Sequence, residues 1–415
     1  MRAAVLLSAY WFFLLGGLGT FFPFYSLYLN ENAGLSGSQV GLVMAVMPLV
    51  GIVAQPLWGQ VADRTGSRTR VLAVLSLGAS AGFALLYTAH DFASLLTLTA
   101  VLAVFSSATI PTCVAVSMAL LGERGPYAFG LVRAWGTVGF LIAVVSFPLL
   151  LDWIGGRGQP VATSALATPS EPALAWMLPV TAACYAMAAL LATRLPSRGS
   201  VASRAGRGEV GLLLRHRPFL RLLAFMFLCY LFLQGPMVMF PLYVRSLGGS
   251  VDMVSRMWVL MLLLEIPLVA LSGAGFRRLG GRGLLAVGVA SGAVRWLVSG
   301  LADELWLIYA VQVLHGVSVV GLIIGGPLYV EAVVPERLRS TGQGVLSMMG
   351  ISLGGILSTL ASGALVDRVG ASAPAVAGGV GALVLTALLP WMVPAARRAD
   401  FGPTRPAGPA TAEIL

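Results

Sequence analysis

The sequence predicts an all-α membrane protein: twelve transmembrane helices in two pseudo-symmetric six-helix bundles. Three observations predict it. The 415 residues are 58% hydrophobic and 10% charged, with a mean hydropathy of +0.90, whereas soluble domains carry about 25% charged residues. Twelve apolar runs, each near the ~20 residues that a bilayer requires, follow one another along the chain. Short features of the first six runs return in the last six at a nearly constant offset.

In order, the runs are Val5–Leu29, Ser38–Ala62, Val71–Ala89, Phe92–Leu121, Leu131–Leu151 and Ala175–Leu191, then Phe219–Val244, Met253–Phe276, Leu284–Leu301, Leu305–Val334, Gly342–Val366 and Ala375–Val393. Most turns between them are short, which favours antiparallel neighbours. Two are longer. Gly155–Pro172 is rich in Ser, Pro, Ala and Thr and reads as an outward loop. Ser197–Arg217 is rich in Arg, Gly and Ser and reads as a linker between halves. The expected units are therefore an N-terminal bundle (1–196), a cytoplasmic linker (197–217), a C-terminal bundle (218–396) and a disordered cytoplasmic tail (397–415). The repeat supports this division. Phe22-Pro23-Phe24-Tyr25 in the first run returns as Phe240-Pro241-Leu242-Tyr243 in the seventh, and the turn around Gly66 returns in degraded form, without its Asp, as Arg277–Arg282. A parallel repeat about an axis normal to the membrane relates two such halves.

All 26 basic residues are Arg, and the net charge is +10. Arg64, Arg68, Arg70, Arg124, Arg215, Arg278, Arg282 and Arg339 fall in alternate loops, and the intervening loops carry mainly acids such as Glu31, Asp91, Asp303 and Asp367. Basic loops stay cytoplasmic, so both termini are expected in the cytoplasm, with the chain multi-pass in a bacterial inner membrane. With no basic helix or aromatic platform, nucleic acid is not an expected partner. Cys113, Cys184 and Cys229 lie in apolar runs without paired spacing, which suggests neither disulfides nor a metal site. No phosphate-binding Gly-rich loop or nucleophile constellation is present. An enzyme is not expected, no cofactor is implied, and energy must come from an ion or solute gradient. The expected state is a monomer, with a small solute, protons and the bilayer as partners.

The turn Gly59–Arg70 reads Gly-Gln-Val-Ala-Asp-Arg-Thr-Gly-Ser-Arg-Thr-Arg. Asp63 and Arg64 stand where a helix ends, so the carboxylate can accept from the first amides of a neighbouring helix. This spacing of Gly59, Asp63, Arg64 and Gly66 resembles the loop 2–3 signature of the major facilitator superfamily. The preceding Ala54-Gln55-Pro56-Leu57-Trp58 resembles the approach to that loop in the lactose-permease branch. The resemblance implies a transporter working by alternating access, with Gly59, Asp63, Arg64 and Gly66 at its inner gate.

Charged groups inside spans cost roughly 2.5–3.5 kcal/mol on insertion scales and mark function by default. Glu265, in Leu262-Leu263-Leu264-Glu265-Ile266-Pro267, is the one acid well inside an apolar run. A carboxyl that resists ionisation there suits a group that takes up and releases a proton. Arg133, followed by small residues through Gly139, resembles the span-5 entrance of the lactose-permease, phenylpropionate and nucleoside relatives. It is either a substrate contact or a loop Arg reaching the inner surface. Arg295 and His315 resemble the Arg and His of the same branch, which implies that they set when Glu265 ionises. The match departs at Ser318, where the permeases carry a carboxylate, and in Cys113–Leu121, which lacks their acid. Gln55, Gln234, Gln312 and Gln343 could line a cavity. Tyr10, Trp11, Phe21, Phe22, Tyr25 and Trp135 could stack on a ring or sit against lipid. The expected substrate contacts are Arg133, Tyr25, Trp135, Gln234 and Gln312; the expected coupling groups are Glu265, Arg295 and His315. The expected function is proton-coupled symport of a small organic solute (a sugar, nucleoside or aromatic acid). A proton-driven efflux antiporter of lipophilic compounds and a non-transporting membrane sensor are the rivals.

Overall fold

The structure, a computed structural model, describes residues 2–121, 125–155, 172–196, 209–213 and 215–394. The expected outward loop falls mostly on 156–171, the linker mostly on 197–208, and the tail on 395–415, so these expectations lie outside the described residues.

The described residues are almost entirely helical. The first helices are α1 (Arg2–Phe21), α2 (Tyr25–Glu31), α3 (Gly37–Thr65), α4 (Arg68–Leu86), α5 (Phe92–Leu121), α6 (Gly125–Gly155) and α7 (Met177–Thr193). After the short α8 (Glu209–Leu213) come α9 (Arg217–Ser246), α10 (Val251–Leu301), α11 (Leu305–Val311), α12 (Leu314–Val319), α13 (Gly325–Val333), α14 (Arg339–Val345), α15 (Gly354–Arg368) and α16 (Ala373–Met392). π-helical turns at Val320–Ile324 and Leu346–Leu353 join α12 to α13 and α14 to α15.

Among the described residues, eleven helices are long and apolar enough to cross a membrane. The run expected as the eighth span is the first part of α10, which includes residues 269–277, outside the described side chains. The run expected as the ninth is its second part. Gly280, at φ 66° and ψ 174°, breaks α10 between them. Only glycine holds such a backbone at no steric cost.

The N-terminal helices α1 to α7 pack largely on one another: α1 on α6 and α7, α4 on α5 and α7, and α3 on α5. Small residues permit this. A side chain at Gly139 of α6 would collide with the Phe12 backbone of α1, the close approach that membrane helices favour. Polar ties then cross between helices out of reach of water. Tyr10 Oη meets Ser76 Oγ at 2.7 Å, Trp11 Nε1 donates to Ser117 at 3.1 Å, and Thr20 meets Thr181 at 2.8 Å. Each such bond contributes roughly 0.6–2 kcal/mol. Among the C-terminal helices, α10 packs on α12 and α16, and α9 on α15 and α16. The two sets meet through α3 with α15, α6 with α10 and α2 with α9.

Candidate functional site

Between the two sets lies a central cavity with two lobes. The C-terminal lobe, about 290 Å³, is lined by Gln234, Met237, Arg295, Trp296 and Ser318 among others. The N-terminal lobe, about 630 Å³, is lined by Leu15, Leu18, Arg133, Thr137 and Phe140 among others. Phe22, Trp258, Glu265 and His315 belong to both.

Helical periodicity decides who faces the cavity. On α6, Gly130, Arg133, Ala134 and Thr137 form one stripe along the N-terminal lobe. Trp135 stands two residues from Arg133, about 200° around the helix, and is 54% exposed on the outside. On α10, Trp258, Leu262, Glu265 and Ile266 share a face by the same rule and line the cavity.

The three expected coupling groups come together. Arg295 is 3% exposed. Its Nε donates to Gln312 Oε1 at 2.8 Å, and its Nη1 stands 3.0 Å from His315 Nδ1. Nη2 faces the sulfurs of Met237 and Met261 at 3.3 and 3.7 Å, and the guanidinium lies 4.2 Å from the centre of the Trp296 ring. A guanidinium has donors only, so Nδ1 of His315 must accept. The imidazole is then the neutral tautomer with its proton on Nε2. That nitrogen faces Glu265 Oε2 at 3.9 Å. The expectation that Arg295 acts on Glu265 therefore takes a specific form: the contact runs through the His315 ring. Among the described residues, no carboxylate pairs with Arg295. Its acceptors are neutral.

Gln312 is fully buried; its amide donates to Ser299 Oγ and the Ile308 carbonyl while its oxygen holds Arg295. It positions the guanidinium rather than lining a lobe. Arg133 lies over Trp11, 4.9 Å from the ring centre, and lines the N-terminal lobe together with Glu265. Gln234 lines the C-terminal lobe. Tyr25 is fully buried in the N-terminal core, where it bonds Thr99 at 2.7 Å and stacks on Phe21 at 4.3 Å. Gln55, Gly59 and Asp63 border a separate pocket of about 200 Å³ beside Arg68.

The residues expected at the gate, Gly59, Asp63, Arg64 and Gly66, all lie at the C-terminal end of α3. Asp63 pairs with Arg68 of its own loop at 3.1 Å, and Arg64 is exposed. Gly66 takes φ 62° and terminates α3 in the left-handed region, the usual glycine helix stop. A side chain on Gly59 would meet nothing within 4 Å. At the opposite end the two helix sets are tied together. Arg245 of α9 grips Glu31 of α2 with two bonds, 2.6 and 3.2 Å. Asp367 of α15 accepts the Gly37 and Ser38 amides of α3 at 2.6 and 2.8 Å, so a carboxylate sits on a helix N-terminus. Ser36 and Gln39 complete a capping box there. One turn along, a side chain on Gly41 would stand 2.8 Å from the Thr359 carbonyl and 3.3 Å from Gly363. Ser255 donates to the Val144 carbonyl at 2.6 Å, from α10 to α6.

Sequence reasoning missed this sealed end, although a signal existed. Gly363-Ala-Leu-Val-Asp367-Arg368-Val-Gly370 repeats the spacing of Gly59-Gln-Val-Ala-Asp63-Arg64-Thr-Gly66. The degraded turn Arg277–Arg282 is therefore not the sole counterpart of Gly59–Gly66. The second copy ends α15.

The profile of the MFS_1 like family matches residues 4–373. The chain belongs to this family of major facilitator superfamily transporters. This facilitator is 32% identical to the maltose permease of Geobacillus stearothermophilus over 366 residues, 86% of each chain. Against the probable 3-phenylpropionic acid transporter of Escherichia coli strain K12 it is 27% identical over 309 residues, 72% of this chain and 74% of that one. The crystal structure of the nucleoside transporter NupG superposes with a TM-score of 0.82, at 17% identity over 95% of this chain and all of that one. That likeness concerns the fold. The facilitator is thus a multi-pass membrane transporter, not an enzyme, and its cavity is the place to look for solute binding.

Proposed function

We propose that the chain is a proton-coupled symporter of a small organic solute (a sugar, nucleoside or aromatic acid) working by alternating access. The observation that carries this reading is the line from buried Arg295 through neutral His315 to Glu265, which opens on both lobes. Glu265 would take the proton. While it is ionised, it attracts the His315 Nε2–H and the Arg133 charge. Once it is protonated, that attraction falls, and Arg133 is released toward solute. The cavity then holds two guanidinium groups and no ionised acid, which favours an anionic or hydroxyl-rich solute. A sugar is the first candidate, because the maltose permease matches over most of both chains.

The reading includes twelve spans in two six-helix bundles, 1–196 and 218–396, joined by the linker 197–217 and followed by the tail 397–415. Gly280 would mark the turn between the eighth and ninth spans. The arginine-rich Gly59–Arg70 turn belongs in the cytoplasm, as do both termini, in a bacterial inner membrane. The sealed end then faces outward and the conformation is inward-facing. A monomer suffices, since the cavity is built within one chain.

The test uses the full chain in proteoliposomes. Adding maltose, uridine or 3-phenylpropionate should alkalinise the weakly buffered exterior in step with solute entry. E265Q should lose this proton signal while retaining solute exchange. Acid-driven export of solute would replace symport with antiport, and absence of flux with all three probes would leave the sensor reading.

A further inference from the structure

Two polar atoms of the C-terminal lobe have no hydrogen-bond partner: the indole Nε1 of Trp258 and the hydroxyl of Ser318. Both residues are more than nine-tenths buried, at 6% and 9% exposure, and both line the lobe that holds Arg295. Buried polar groups in folded proteins nearly always find a partner. An indole N–H can only donate, so what Trp258 lacks is an acceptor.

The Trp258 ring is fixed in place. It meets Phe22 edge-on at 5.5 Å, Phe140 at 6.1 Å and His315 at 6.5 Å. These three come from α1 and its following turn, α6 and α12, so the indole bridges both helix sets at the waist between the lobes. It also shares a face of α10 with Glu265, two turns away.

We infer that Trp258 and Ser318 bind solute: they donate to oxygen atoms of a molecule seated in the C-terminal lobe. This rests on the central cavity being the transport site, and it narrows the solute to an oxygen-rich one. A hydrocarbon-like compound would leave both donors unmade, whereas hydroxyl, ether or carbonyl oxygens satisfy them. The rings of Phe22 and Trp258, which line the same lobe, supply the apolar surface that a sugar or nucleoside ring also requires.

The test is calorimetric binding of maltose, uridine and 3-phenylpropionate to the purified full chain. Wild type should bind at least one. W258F keeps the ring and removes the N–H; it should weaken that binding about tenfold, the scale of one buried hydrogen bond, with an unchanged thermal midpoint. S318A should weaken it by a smaller factor, about threefold. A monodeoxy analogue lacking the contacted hydroxyl should cost the wild type that same factor and cost W258F nothing more, which a merely structural tryptophan would not produce. Wild-type binding with W258F and S318A both within twofold overturns the inference and leaves the transport reading standing. Failure of the wild type to bind any of the three overturns the proposed solute classes and this inference with them.

Discussion

The chain carries the same eight-residue spacing twice, and the two copies are in opposite conditions. At Gly59–Gly66 the carboxylate of Asp63 reaches only Arg68 of its own loop, and open space surrounds Gly59. At Gly363–Gly370 the carboxylate of Asp367 sits on the first amides of α3, and Gly363 lies against Gly37 and Gly41. Both copies close with a left-handed glycine, Gly66 at φ 62° and Gly370 at φ 131°. The local code is therefore equal, and the difference is whether a partner helix start lies within reach. One copy is engaged with the other helix set and the other copy is not.

Four substitutions probe this contrast through the distance between spin labels at Thr88 and Asp303, two exposed positions at the sealed end. The largest effect is expected from Glu31→Gln. Its pair with Arg245 is nearly buried, at 5% and 11% side-chain exposure, and losing one partner of a buried pair costs about 3–5 kcal/mol. The label distance should lengthen for most molecules. Gly363→Leu comes next. The added side chain must displace the Gly37 and Gly41 backbones, at about 1–3 kcal/mol for overpacking, so a mixture of short and long distances is expected. Asp367→Asn removes the charge from the α3 N-terminus and should shift the mixture by about 1 kcal/mol. Asp63→Asn should leave this distance unchanged, since an exposed pair is worth under about 1 kcal/mol and lies at the other end. Equal effects from Asp63→Asn and Asp367→Asn would break the comparison.

The first copy was readable because it fell in a charged turn between two long apolar runs. The second was not, because a parallel repeat pairs the second span with the eighth and directs attention to Arg277–Arg282. The mate that matters stands at the end of α15, against the start of α3. Glu265, Arg295 and His315 were readable from the cost of placing polar groups in apolar runs. Their order in space was not, since spacing along the chain cannot say that the imidazole lies between the other two. Aromatic residues were the weakest signal. Trp135 differs from Trp258 only in which face of a helix it occupies, and apolar runs in a membrane give little contrast between faces. Trp258 could have been found by counting seven residues back from Glu265.

The polarity of the His315 ring has a chemical consequence. Its Nδ1 is occupied by a group that can never accept a hydrogen, so the imidazole receives on that side and turns its one N–H toward Glu265, 3.9 Å away. A glutamine side chain has the same pair of faculties, a carbonyl that accepts and an amide that donates. If the chain couples solute to protons as proposed, His315→Gln should preserve solute-driven proton movement in part, whereas the similarly sized His315→Leu should abolish it. In that event the ring's own basicity is incidental, and what the position demands is a wire with a fixed direction.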